Sequence, residues 1–258
     1  MKINYALMGS DMNPLYLDFW PIVSKVWKNV FNITPVLGLI GDEESEIYND
    51  GNGLVVKLKS IKGVDKGLLA QLVRLYLPKF LEGNCIISDI DMIPLSKKYF
   101  INGLKSYSDD DFIIMSSHHS QTINKKQYPM CYVAGNDKIF KKLFNLNDDW
   151  ESFVKNIPSQ GWFTDQIYLY NVINSNDNFN YKFPQRKGGF TNTRIDRGNW
   201  GYSMNKLKKK YYIDSHLLRP YSENFKEINK LIDHIIEINN TQQTKWKIKN
   251  IFKNWFYK

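Results

Sequence analysis

At 258 residues, with 43% hydrophobic and 24% charged positions, the chain has a globular balance sized for one large α/β domain or two small ones. No apolar run approaches the roughly 20 residues of a membrane-spanning helix, and the start, MKINYALMGSDMNP, has too brief an apolar run for a secretory signal. A cytoplasmic protein is expected, with Cys85 and Cys131 as buried free thiols. Net charge is +9, but five of those charges are lysines within 239–258, a stretch without an acid. The rest is only mildly basic, which argues against a broad nucleic-acid-binding face.

In chain order, 3–9 reads as a buried first strand. Asn13 and Pro14 then form a helix start, a capping side chain before a ring at the first helical position. The apolar spacing from Leu15 to Val30 is helical, with Pro21 expected to kink or delay the helix. Residues 34–41 read as the second strand, 42–53 as a polar loop and 54–60 as a short strand. A helix over 67–81 leads into a strand at 84–88. Further strands are expected at 112–117 and 130–135, and a helix at 162–173. Strands alternating with helices in the first half indicate a mostly parallel sheet, which binds ligands at the carboxyl ends of its strands.

Asp89 and Asp91 stand at such an end, after NCIIS and before the apolar MIPL. In extended chain, alternate residues face the same way, so the two carboxylates share a face and repel unless a cation lies between them. Oxygen ligands at this spacing suit Mg²⁺ or Mn²⁺ bridged to a substrate diphosphate. A second acidic run, Asp109-Asp110-Asp111, reads as a turn before the 112–117 strand. Only five of the 35 basic residues are arginine, and four of those five fall within 186–219. In a lysine-rich chain each marks a place for a planar fork. The segment QRKGGFTNTRIDRGNW therefore reads as a loop closing over a nucleotide, with Arg186, Lys187, Arg194 and Arg197 as donors to a diphosphate. A solvated basic loop is the plain alternative.

The segment NCIISDIDMIPL, with the LVRLYLPKFL helix before it, resembles the metal-binding segment of nucleotide-sugar-dependent glycosyltransferases with the GT-A fold, in their galactosyltransferase and glycogenin branch. The resemblance spans 3–221 and implies a single α/β, Rossmann-like GT-A domain, with a mostly parallel central sheet flanked by helices. It implies that Arg74 contacts the donor. WFTDQIYLYNV resembles the segment lining the sugar and acceptor site, which implicates Asp165 and Gln166. DSHLLRPY is similar to the late loop whose histidine is the third metal ligand, which points to His216, although LLRP stands where that branch often has Gly and Lys. Asp89 and Asp91 would then hold Mn²⁺ or Mg²⁺ and the diphosphate of a UDP- or GDP-sugar. Gly9, Ser10 and Asp11, after the first strand, would border the nucleoside. Asp165 would stand beside the anomeric carbon.

Plainer readings compete at several positions. Asp165 could cap its helix, Gln166 could be solvated, and His216 could be a surface residue near KLKKK. His118 and His119 could touch substrate or have no role. Trp162, Trp200 and Tyr202 could stack on sugar rings, but in a chain with 15% aromatics the default is core packing. A sugar nucleotidyltransferase is the rival enzyme, but it usually carries a basic Gly-rich loop after the first strand, and GSDMNPLYLDF has no basic residue. A non-catalytic basic membrane- or nucleic-acid-binding module is the rival from another class.

The tail closes the reading. Ser222 is expected to cap a helix with Phe225, Ile228, Ile232 and Ile235 against the core. The domain is expected to end at 238. Residues 239–258 would form a basic, aromatic amphipathic helix on an anionic membrane surface, with a glycan or lipid-linked acceptor nearby.

Overall fold

The computed structural model describes residues 1–115 and 126–256, with side chains described except at 190–191 and from 240 onward. His118 and His119 lie outside the described residues. The strands are β1 (Tyr5–Asp11), β2 (Thr34–Gly41), β3 (Glu46–Asn49), β4 (Leu54–Lys59), β5 (Asn84–Ile87), β6 (Met92–Pro94), β7 (Asp111–Ile114), β8 (Val133–Asn136), β9 (Asn180–Lys182), β10 (Arg194–Ile195) and β11 (Asp214–His216). The α-helices are α1 (Pro14–Leu17), α2 (Trp20–Lys25), α3 (Lys66–Tyr76), α4 (Asp137–Leu143), α5 (Trp150–Lys155), α6 (Thr164–Asn174), α7 (Gly189–Thr193), α8 (Met204–Lys208) and α9 (Tyr221–Phe256).

The protein has a mixed α/β architecture. Eight strands form one sheet in the order β3-β4-β2-β1-β5-β8-β7-β9. Neighbours are parallel from β4 through β2 and β1 to β5, and again between β7 and β9, while β3 and β8 run antiparallel to their neighbours. Apolar side chains cover both faces, with Met8, Leu37, Trp27 and Phe100 on one side and Leu7, Val36, Leu72 and Phe140 on the other. Burial on both faces is why these strands read as continuous apolar runs. A small second sheet, β10-β11-β6, packs beside the first.

Local chemistry sets the element ends. The Asn13 side chain accepts from the Leu15 N–H, and Pro14 opens α1. Pro21 lies in the first turn of α2, so the early helical stretch is broken into two short helices followed by a π-turn over Val26–Phe31. Asp65 caps α3, which gives way to a 3₁₀ turn, Leu77–Phe80, at Pro78. Helix α3 lies unusually close to the sheet. A Cβ on Gly38 would come within 2.6 Å of Val73 Cγ2, and one on Gly9 within 2.9 Å of Arg74 Cγ. Glycine at these two places lets the backbones approach and brings Arg74 to the end of β1.

Three expectations change. The 42–53 segment is not all loop, because β3 pairs with β4 inside it. All four residues of β3 are exposed, so no hydrophobic alternation marks it. The last helix starts at Tyr221, one residue before the expected cap Ser222, and Phe225 is exposed while Leu231 joins Ile228, Ile232 and Ile235 in the core. Its backbone runs on as one helix to Phe256, across the expected domain end at 238. The side chains of 240–258, on which the membrane-surface reading rests, lie outside the described ones. Among the described residues no helix is long and apolar enough to cross a membrane. Cys85 and Cys131 are free thiols, the first buried and the second half-buried.

Candidate functional site

A cavity of about 490 Å³ opens at the carboxyl ends of β1 and β5. Eleven of the candidate site residues named from sequence line it: Gly9, Ser10, Asp11, Arg74, Asp89, Asp91, Trp162, Asp165, Gln166, Arg197 and His216. They come from distant stretches of chain, and the topology explains their meeting.

Arg74 lies on the last turn of α3 and is almost fully buried. Its two terminal nitrogens divide between Asp89 and Asp165, the latter at 2.7 Å. Asp165 sits in the first turn of α6, and one of its oxygens also accepts from the Gln166 N–H at 2.8 Å. Burial raises the Asp165 carboxyl to about 6, against the pull of Arg74, with the Asp89 charge adding to the rise. Asp89 keeps about a third of its side chain exposed to the cavity, whereas Asp91 is nearly closed off.

The second half of the site depends on the small sheet. Strands β6 and β11 are antiparallel with Met92 opposite His216, so residue 91 and the histidine are held together. Leu217 N–H donates to the Asp91 carbonyl at 2.9 Å. His216 Nε2 stands 3.6 Å from Asp91 Oδ2, and its Nδ1 is 3.5 Å from Asp196 Oδ2. Burial lowers the imidazole pKa, and Arg197 outside Nε2 works in the same direction against Asp91. A neutral ring with its proton on Nδ1 makes Nε2 an acceptor, and Arg197 Nη2 is in hydrogen-bond contact with it. Arg197 Nη1 is 3.0 Å from Asp91 Oδ2 but outside hydrogen-bonding geometry, so this buried nitrogen has no hydrogen-bond acceptor.

Arg186 and Arg194 do not take the role expected of them. Both grip Asp214 through two hydrogen bonds each, Arg186 at 2.8 and 2.8 Å and Arg194 at 3.0 and 2.9 Å. Arg186 and Asp214 are fully buried, and neither arginine lines the cavity. Their forks bind the protein's own carboxylate instead of a diphosphate. Burial works to raise the Asp214 carboxyl, but the two guanidinium groups outweigh it and hold it down at about 2. Lys187 is exposed and also off the cavity.

The cavity contains groups that sequence reasoning did not assign. Arg219, three residues past His216, lies 3.7 Å from Asp91 Oδ2, and donates to the Tyr16 hydroxyl at 2.7 Å. Gln71 lies one helical turn before Arg74 and accepts from its Nε through the backbone carbonyl. Its place on the same helix face was the available signal.

A divalent cation can be tested against this donor set. Two ligand atoms at right angles on one such ion lie about 3 Å apart, given bonds of roughly 2.0–2.2 Å. Asp91 Oδ2 and His216 Nε2, 3.6 Å apart, approach that spacing, but the Arg197 guanidinium stands on both atoms and would have to swing aside to admit an ion. Among the described residues no three His, Cys, Asp or Glu side chains are grouped for a metal, and Asp89 turns to Arg74. The acid–imidazole pair fits a cation, and Asp89 faces the same cavity.

No protein-family model matches the chain, and no curated protein matches it. Among solved structures, it is similar to the glycosyltransferase GlyE of Streptococcus pneumoniae TIGR4 at 11% identity and TM-score 0.46, over 95% of this chain and 64% of that one. The chain thus spans less than two thirds of GlyE's length. It is similar to the galactosyltransferase LgtC, solved with donor and acceptor sugar analogues, at 11% identity and TM-score 0.47, over 92% and 95% of the two chains. A glycosyltransferase involved in glycosylation of the major capsid of PBCV-1 is similar at 6% identity and TM-score 0.43, over 84% of this chain and 92% of that one.

Proposed function

We propose that this chain is a GT-A-type glycosyltransferase that moves a sugar from a UDP- or GDP-sugar to a glycan or lipid-linked acceptor, using Mn²⁺ or Mg²⁺. The observation that carries the reading is the convergence of Asp89, Asp91, His216, Arg74 and Asp165 on one cavity at the carboxyl ends of parallel strands.

In this reading Asp91 and His216 hold the cation, joined by Asp89. The ion would supply Lewis-acid stabilisation for charge building on the departing diphosphate. Gly9, Ser10 and Asp11 border the nucleoside. Arg197, ion-paired to Asp91 at the cavity wall, would turn its fork to a phosphate oxygen once a cation takes Asp91. Arg74 keeps Asp165 oriented and holds the donor sugar. Asp165, raised to about 6, is balanced near neutrality as acceptor base or as the charge beside the anomeric carbon. The loop after β1 has no basic side chain, which disfavours nucleotidyl transfer.

The direct test is a panel of sugar nucleotides followed for hydrolysis and transfer. Asp89→Ala and Asp91→Ala should each lose at least about 10²-fold in rate with the fold intact. Full activity in either variant, or in excess EDTA, overturns the assignment. The basic tail extends the reading to an anionic membrane surface on the cytoplasmic face. Equal pelleting on anionic vesicles by the full chain and by a chain ending at Asn240 would remove that part alone.

A further inference from the structure

Trp162 is 62% exposed although it lines the cavity that otherwise holds buried charge. A large aromatic side chain left in solvent gains little from core burial, and this one stands at the wall of the cavity and not on open surface. The turn that carries it is firmly built. Gln160 N–H donates to Thr164 Oγ at 2.7 Å, and the Thr164 hydroxyl donates to the Gly161 carbonyl at 2.8 Å. Thr164 is fully buried. Gly161 supplies a φ of +69°, a left-handed turn that a side chain would strain. The indole therefore stands on a fixed support, three residues before Asp165 on the turn that opens α6.

We infer that Trp162 is the stacking platform for a sugar ring of the acceptor. This makes the recognised part of the acceptor a pyranose rather than an aliphatic chain, and the inference rests on the glycosyltransferase reading above. A pyranose has one face of C–H groups and a rim of hydroxyls. The indole face meets the first, while Asp165 and Gln166 beside it offer acceptors and donors to the second. A nucleobase could stack equally well, but the nucleoside border is assigned to β1, whereas Trp162 belongs to the turn bearing Asp165. Phe163 is also exposed but does not line the cavity, so the proposal is confined to Trp162.

The test separates the two readings. Methyl glycosides of galactose, glucose and N-acetylglucosamine are titrated against the full chain by saturation-transfer NMR, with and without UDP or GDP plus Mn²⁺. At least one glycoside should bind the wild type. Trp162→Ala should weaken it about tenfold, while Trp162→Phe, which retains a ring face, stays within about threefold. Nucleotide affinity should stay within about twofold in both variants. No glycoside binding to the wild type, unchanged binding to Trp162→Ala, or an equal loss of nucleotide affinity would each overturn the proposal. The underlying reading fails separately, if wild-type nucleotide affinity ignores Mn²⁺ while glycoside binding still depends on Trp162.

Discussion

The Arg186–Asp214–Arg194 cluster sets one carboxylate between two guanidinium groups, while the Arg74–Asp89–Asp165 cluster sets one guanidinium between two carboxylates. The first is closed. Asp214 has no exposed surface and takes four hydrogen bonds, so its charge serves the packing of β10 on β11. The second is open, with an excess of negative charge and an Asp89 carboxylate about one third exposed to the cavity. The pKa shifts follow the same division, down to about 2 at Asp214 and up to about 6 at Asp165. The same residue types build a scaffold where the charges are satisfied and a site where they are not.

The largest effect should come from breaking the closed cluster. Asp214→Ala strands two arginines in the interior and should cost about 3–5 kcal/mol. A chain of this size shifts about 2–4 °C per kcal/mol, so a fall in Tm of at least about 6 °C is expected. Asp89→Asn, at the open cluster, should change stability by less than about 1 kcal/mol. Equal destabilisation by the two variants would erase the distinction.

Acid titration should divide the clusters by sign. Asp165 is raised in the fold, so the native state binds its proton more tightly than the unfolded chain does. Its contribution is therefore gained as pH falls from about 6 to 4, by up to roughly 3 kcal/mol. Asp214 is depressed, so its contribution is present above about pH 4 and is lost toward pH 2, by about 2 kcal/mol. Denaturation of wild type and Asp165→Asn across pH 3–7 reads the first window. The variant should lack the gain between pH 6 and 4, and parallel curves would contradict the assignment. The smallest effect belongs to Lys187→Ala. This exposed residue off the cavity should leave stability within about 0.5 kcal/mol and nucleotide affinity unchanged.

Much of the site was legible because it depends on local pattern. Asp89 and Asp91 end a strand that is apolar on both faces, Arg74 precedes that strand on an amphipathic helix, and Asp165 opens another helix. The arginines past 185 were not legible in the same way. Arg186, Arg194 and Arg197 share a short basic stretch; the register of β10 against β11 sets Arg194 opposite Asp214, and Arg186 reaches the same carboxylate from before α7. That register is a long-range property, without a local composition signal. Asp214 itself stands two residues before His216, so it reads as part of a ligand loop although it is the anchor of the small sheet. Strand β3 escaped because exposed edge pairing rests on backbone hydrogen bonds and charge, including Lys57 with Glu46 at 3.5 Å, and not on apolar alternation. Trp162 was readable as a possible sugar-stacking residue, but core packing is the default in an aromatic-rich chain and only its exposure decides against it.

The central claim is that the open cluster and its neighbour Asp91 form a cation-dependent nucleotide site. Calorimetric titration of UDP and GDP, with and without Mn²⁺, on wild type and Asp91→Asn tests it most directly. One nucleotide should bind the wild type at least about tenfold more tightly with Mn²⁺. Asp91→Asn should lose that gain while unfolding at the wild-type temperature to within about 4 °C, the shift of about 1 kcal/mol. Nucleotide affinity indifferent to Mn²⁺ in the wild type, or an undiminished Mn²⁺ gain in a folded Asp91→Asn, would contradict it.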